Sequence, residues 1–200
     1  MNPSAPLMPL RVAVAEPAAK GIQRFELRHP EGAELPPFTA GAHVRVKTPS
    51  GAMRQYSLSN DPAERDRYVI AVKREGNGRG GSLSLVDGVR AGQTVEVGEP
   101  ENLFELDSKA RSFVLIAGGI GITPMMAMAR HLLAHGHALH ITVHRNTERV
   151  ADLLAAGARQ AASPAALAAA CDTVFLCVTG SPQVEAVVRG PQGLLAGARP

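Results

Sequence analysis

The chain has 200 residues, 45% of them hydrophobic, which suffices for one sizeable core or two modest ones and predicts two domains of about 100 residues each. Its 21 basic and 18 acidic residues are interspersed and leave a net charge of +3, without the Lys/Arg block or aromatic ladder of a nucleic-acid binder. Three prolines and no apolar leader core open the chain, and no later apolar run is long enough for a bilayer, so a soluble cytoplasmic protein with no nucleic-acid or membrane partner is expected.

From about residue 10 to 100 the chain reads as short strands. Alternation of apolar and polar residues predicts strands over 11–15, 22–28, 43–47, 53–59, 68–74 and 94–97, with Pro and Gly clusters between them. Antiparallel strands of this kind close into a barrel. One segment, 81–89, is apolar at helical spacing after a Gly-rich loop, which predicts a short helix beginning at Ser82.

A polar link over 105–111 precedes a change of texture. The run 112–117, SFVLIA, is continuously apolar, as in a parallel strand buried on both faces. A glycine turn, a helix over 124–135, a strand over 138–144 and a helix over 147–156 follow. Next come a short strand over 158–161, a helix opening at Ser163-Pro164 and a strand over 173–178. The predicted fold is therefore β plus α/β: an antiparallel barrel domain over 1–106, then a truncated doubly wound parallel sheet over 112–200.

Three runs stand in order along this frame: Arg54-Gln55-Tyr56-Ser57, then Gly78-Arg79-Gly80-Gly81-Ser82, then Gly118-Gly119-Ile120-Gly121-Ile122-Thr123-Pro124. The first offers a cation, an aromatic face and a hydroxyl, which suit a flavin; the others offer bare backbone amides, which suit phosphates. Alternation along 53–59 sends Arg54, Tyr56 and Leu58 to one face and Gln55, Ser57 and Ser59 to the other, so a bound ring must be met at the strand end or across a bend. Taken singly, Tyr56 reads more readily as a barrel residue, Arg54 as a solvated edge charge and Gly78–Gly81 as a mobile loop. The third run carries more, because Gly119-x-Gly121 sits between a buried strand and a helix, where side chains would block a pyrophosphate.

With these residues in hand, the segments RQYSLSNDP, VKREGNGRGGS and IAGGIGITPM resemble the ferredoxin-NADP reductase superfamily, in its phthalate dioxygenase reductase or vanillate demethylase reductase branch, over about 7–133. The resemblance implies a flavin-binding barrel holding FMN, or less often FAD. The flavin phosphate would be met by Arg54, Ser82 and the amides of Gly80 and Gly81. Tyr56 and Ser57 would lie against the isoalloxazine, and Gln55, Val72 and Lys73 would complete the flavin set. Gly118, Gly119, Gly121, Ile122, Thr123 and Pro124 would face the nicotinamide nucleotide. The implied reaction is hydride transfer from C4 of NAD(P)H to N5 of the flavin, then single-electron steps to a separate iron–sulfur or oxygenase acceptor. Such catalysis is chiefly positioning, and no acid–base residue is nominated.

The chain then departs from that branch, which continues with a Cys-Gly-Pro-like turn and a four-cysteine ferredoxin-like domain. From about 131 onward it is instead similar to the N-terminal Rossmann domain of the 3-hydroxyisobutyrate dehydrogenase family, as if two partial chains were joined. Arg145, Asn146 and Thr147 form the turn that in that family contacts the adenosine ribose or its 2′-phosphate, and an Arg in place of an acid favours NADP(H). Thr147 as a plain N-cap and Arg145 as a loop charge carry equal weight. Two alternatives accompany the reductase reading: a flavin- or nucleotide-binding protein without turnover, and a truncated dehydrogenase-like NAD(P)-binding fragment.

Cys171 and Cys177 are too few for an iron–sulfur cluster of four thiolates and read as buried reduced thiols. His131, His135, His137, His140 and His144 lack a carboxylate partner at ligand spacing, so no metal is expected. Thr179-Gly180-Ser181-Pro182 reads as a turn before a helix over 183–188, with closure over a nicotinamide as its other reading.

Overall fold

The computed structural model describes residues 6–107, 109–110, 112–141, 151–169, 171, 173–178 and 180–198. The chain divides into two compact units, Met1–Glu105 and Leu106–Pro200.

The first unit contains β1 (Leu7–Ala19), β2 (Ile22–Arg28), β3 (His43–Lys47), β4 (Met53–Ser57), β5 (Tyr68–Lys73), α1 (Gly81–Gly88) and β6 (Thr94–Gly98). Its strands pair antiparallel in the order β4-β3-β6-β1-β2-β5. The two edges meet: Leu58 bridges Ile70, and the Ser59 N–H donates to the Val69 carbonyl at 2.9 Å. The sheet is thus a closed barrel, which removes the exposed edges an open sheet would have to protect. Alternation supplies its interior. Val44 and Val46 of β3 are fully buried while Arg45 between them is half-buried, and Leu10, Phe25, Ile70 and Val97 join them in one core. Leu85 and Val89 add α1 and the residue that follows it to the same core.

β1 runs well beyond the predicted 11–15 and contains Pro9 and Pro17. It pairs with β6 over Leu7 to Arg11 and with β2 over Arg11 to Ala19, changing partner at Arg11. Each proline therefore lies where the strand is paired on one side only, and Pro17 adjoins a register shift, the settings in which a missing N–H is tolerated. β4 ends at Ser57 rather than at residue 59, and the barrel-closing bridge follows at Leu58.

The second unit contains β7 (Phe113–Ala117), a 3-10 turn (Gly119–Gly121), α2 (Ile122–Ala134), β8 (Leu139–Ile141), α3 (Ala151–Ala155), β9 (Arg159–Gln160), α4 (Pro164–Ala168), β10 (Thr173–Cys177), α5 (Ser181–Arg189) and α6 (Leu194–Gly197). The four strands are parallel in the order β10-β7-β8-β9. The chain winds outward from β7 through β8 to β9, then returns to lay β10 on the other side of β7. Ser163 caps α4 by accepting from the Ala166 N–H at 3.2 Å, with Pro164 in the first turn as its φ favours. α5 starts at Ser181, two residues earlier than the sequence suggests, and α6 was not anticipated. Val114, Ile116, Leu167 and Leu194 form a core of this unit.

Candidate functional site

In the first unit the site grows from the meeting of β4 and α1, which pack together. α1 begins at Gly81 behind Gly80, a left-handed residue with φ of 77°; no side chain caps it and its first turn holds no acid. Its leading amides therefore keep their positive end uncompensated. Arg54 lies on this same end: a Cβ on Gly81 would stand 2.7 Å from the Arg54 Nε and 3.2 Å from its Cζ. A cation placed against the positive end of a helix is unfavourable by itself and becomes favourable when an anion sits between them. The absent Cβ at Gly81 makes the room. Ser82 accepts from the Glu75 N–H through Oγ at 3.2 Å, which leaves its hydroxyl proton to donate.

Two residues along β4, Tyr56 packs against the barrel core and its hydroxyl is buried without a hydrogen-bond partner among the described residues. Burial pushes its phenol pKa up, against the pull of the Arg54 guanidinium. An unsatisfied buried hydroxyl beside an anion cradle fits a group that is part ring and part phosphate. Ser57 ends the strand opposite His43, one rung from Tyr56 opposite Val44, so the face mismatch expected for Tyr56 and Ser57 persists in the structure.

The other expected flavin residues are placed differently. Gln55 is exposed on β4. Val72 is wholly buried in the barrel core, which leaves only its backbone to offer a ligand. Lys73 forms an ion pair with Glu75.

In the second unit the glycine turn stands at the carboxyl end of β7 beside β10, where the strand order reverses. Open α/β sheets bind ligands at such a crevice. Gly119 takes φ of 59°, the left-handed region. Gly118 donates its N–H to the Cys177 carbonyl at 2.9 Å, and a Cβ on Gly121 would stand 2.2 Å from that same oxygen. The glycines thus press the turn onto the end of β10. Thr123 is buried and its hydroxyl donates to the Ile120 carbonyl at 3.0 Å, while Pro124 in the first turn of α2 has no N–H to give a phosphate. Cys177, half-buried against this turn, was not singled out as a neighbour of it; burial raises its thiol pKa. Cys171 is also half-buried rather than buried. Arg145, Asn146 and Thr147 lie outside the described residues, as do His144 and Thr179. His131 and His135 stack at 4.1 Å, His137 packs edge-on against Phe113, and no group of three or more potential ligands converges among the described residues. No helix among them is long and apolar enough to cross a membrane.

Along the chain, a closed antiparallel barrel with an arginine at its helix start is followed by a parallel sheet with a glycine turn at its switch point. Comparison with known proteins shows what these units are similar to. Over part of its length the chain is similar to phthalate dioxygenase reductases: it is 59% identical over 125 residues to the phthalate 4,5-dioxygenase oxygenase reductase subunit of Pseudomonas putida, spanning 62% of this chain and 39% of that one. It is 58% identical over 127 residues to phthalate dioxygenase reductase of Burkholderia cepacia, spanning 64% and 39%. The solved structure of a phthalate dioxygenase reductase, described as passing electrons from pyridine nucleotides to a [2Fe-2S] centre, superposes with a TM-score of 0.66 at 53% identity, covering 68% of this chain and 43% of that one. Residues 117–200 match the family model for the NAD binding domain of 6-phosphogluconate dehydrogenase. That match takes in the dehydrogenase-like segment expected from about 131 onward. The chain spans about two fifths of the length of the curated reductases it matches.

Proposed function

We propose that the chain is a flavin-dependent NAD(P)H oxidoreductase module of the oxygenase-reductase type, with flavin in the first unit and the nucleotide in the second. Flavin, when bound, accepts a hydride at N5 from the nicotinamide C4 and releases electrons singly, which suits an iron–sulfur or oxygenase acceptor outside this chain. The observation that carries the reading is the Arg54 guanidinium resting on Gly81 at the acid-free start of α1. Arg54 holds the phosphate with the amides of Gly80 and Gly81 and the Ser82 hydroxyl. Tyr56 and Ser57 orient the ring and exclude water from it, so the chain's own part is binding and alignment. FMN is the preferred flavin, because no aromatic residue stands near 76–83 to stack an adenine. Gly118 to Pro124 take the nucleotide, and Arg145 favours NADP(H).

The dehydrogenase lineage of residues 117–200 favours a second reading, in which flavin is held but the second unit does not deliver nicotinamide to it. Visible spectra before and after anaerobic NADPH or NADH separate the two. The chain supplied with FMN or FAD is expected to turn yellow and to bleach with one of the nucleotides. Yellow colour that only dithionite removes selects the second reading, and a chain that takes up neither flavin ends both.

A further inference from the structure

α2 closes on a histidine pair that neither the flavin nor the nucleotide reading uses. His131 stands in its last turn and His135 follows its last residue, so the two are one helical turn apart on one face. Their rings come together, with centroids 4.1 Å apart and planes tilted by 37°. The His135 Nδ1 lies 2.8 Å from the His131 carbonyl oxygen. A carbonyl oxygen only accepts, so Nδ1 carries the hydrogen and the neutral ring keeps its lone pair on Nε2. A hydrogen bond from one ring nitrogen to a backbone carbonyl is how metal-binding histidines are oriented and their tautomer fixed. The field at this place suits a cation as well, because the last carbonyls of α2 form its negative end. His135 is exposed and His131 half-buried, so an ion reaches them from water. Two imidazoles holding one ion through nitrogen at about 2 Å have ring centres roughly 4.5 to 5 Å apart. The pair is within an ångström of that arrangement, a gap that side-chain torsions cover.

We propose that His131 and His135 chelate one borderline divalent transition-metal ion, Cu²⁺, Ni²⁺ or Zn²⁺, through Nε2 of His135 and a ring nitrogen of His131, with water in the remaining positions. Imidazole suits these ions, whereas Mg²⁺ and Ca²⁺ require oxygen ligands. No group of three or more potential ligands converges among the described residues, so the site is open and exchangeable rather than a closed structural centre. The metal-free fold expected from the histidine spacing is kept, and the ion is an addition to it.

The test is calorimetric titration of the full chain, free of any affinity tag, with CuCl₂, NiCl₂, ZnCl₂ and MgCl₂. One equivalent of each transition ion is expected to bind, Cu²⁺ most tightly, and Mg²⁺ not at all. His131→Gln and His135→Gln are each expected to weaken Cu²⁺ about a hundredfold, because each turns a chelate into a single imidazole. Nitrogen NMR of labelled histidine in the unaltered chain needs no variant: with Zn²⁺ the ring nitrogens of His131 and His135 are expected to shift together and saturate at one equivalent, before any of the other five histidines moves. No uptake by the wild-type chain, unchanged Cu²⁺ affinity in either variant, or Zn²⁺ shifts that begin at another histidine would each overturn the site. None of these outcomes bears on flavin binding, since no residue assigned to the flavin is altered.

Discussion

Gly81 and Gly121 are both glycines without positive φ, yet a methyl group would do different work at each. At Gly81 the obstructed atoms belong to the flexible end of Arg54, so the barrel can keep its fold while the guanidinium swings away. Gly81→Ala is therefore expected to leave thermal stability within about 1 kcal/mol of wild type but to weaken flavin roughly tenfold or more, the range of a lost charge-assisted hydrogen bond. Arg54→Gln should match it, because both remove the same cation from the same helix start. Flavin titration of the two variants beside their melting curves checks this; a Gly81→Ala chain that binds flavin normally would separate Arg54 from the anion site. The motif around Arg54 was legible as a string, since its residues are contiguous. That Arg54 and Gly81 come together was implied by the family resemblance but not by strand period or spacing, because it takes the packing of β4 against α1 to bring them there.

At the scale of elements, the outer face of β2 carries a charge network rather than a site. Glu26 is buried, with a side chain 7% exposed, and receives Arg24 at 3.0 Å, Arg28 at 2.7 Å and Arg67 at 2.9 Å. Burial alone would raise its pKa, but the hydrogen bonds from Arg28 and Arg67 outweigh burial and hold it below the ordinary 4.5. A carboxylate whose pKa is depressed by folding stabilises the fold fully above its unfolded pKa and loses that contribution as pH falls through the folded value. Glu26→Gln is thus expected to destabilise the barrel by about 2 kcal/mol at neutral pH, with the difference from wild type shrinking progressively below pH 4.5. Denaturant melts at neutral pH and at pH 3 measure it, and an undiminished gap at pH 3 would assign the loss to packing. β2, which holds most of this network, was readable from its period of two and matched to the residue, as did β3. β1 was not, because Pro9 and Pro17 read as breakers and only the change of partner at Arg11 shows why the strand tolerates them. The burial of Glu26 follows from β5, whose Val69 it faces in register.

For the whole molecule, the decisive feature is that the barrel core and the core around Val114 and Leu167 have no residue in common, each lying within its own unit. Two cores without a shared residue are expected to give two unfolding transitions rather than one. Gly121 tests this, because its missing Cβ faces the backbone carbonyl of Cys177 at 2.2 Å, in a paired strand with no side chain to swing aside. Gly121→Ala is expected to cost the second unit about 2 kcal/mol, lowering its melting midpoint by roughly 10 °C. The barrel transition should stay in place and flavin should remain bound with unchanged affinity. Reduction by NAD(P)H should fall steeply in the same variant, because the turn proposed to receive the nucleotide is the part displaced. Calorimetry paired with the rate of anaerobic flavin bleaching reads both halves of this outcome. A single transition that moves as one, or a loss of flavin together with the bleaching, would mean that the nucleotide unit supports the barrel rather than merely feeding it.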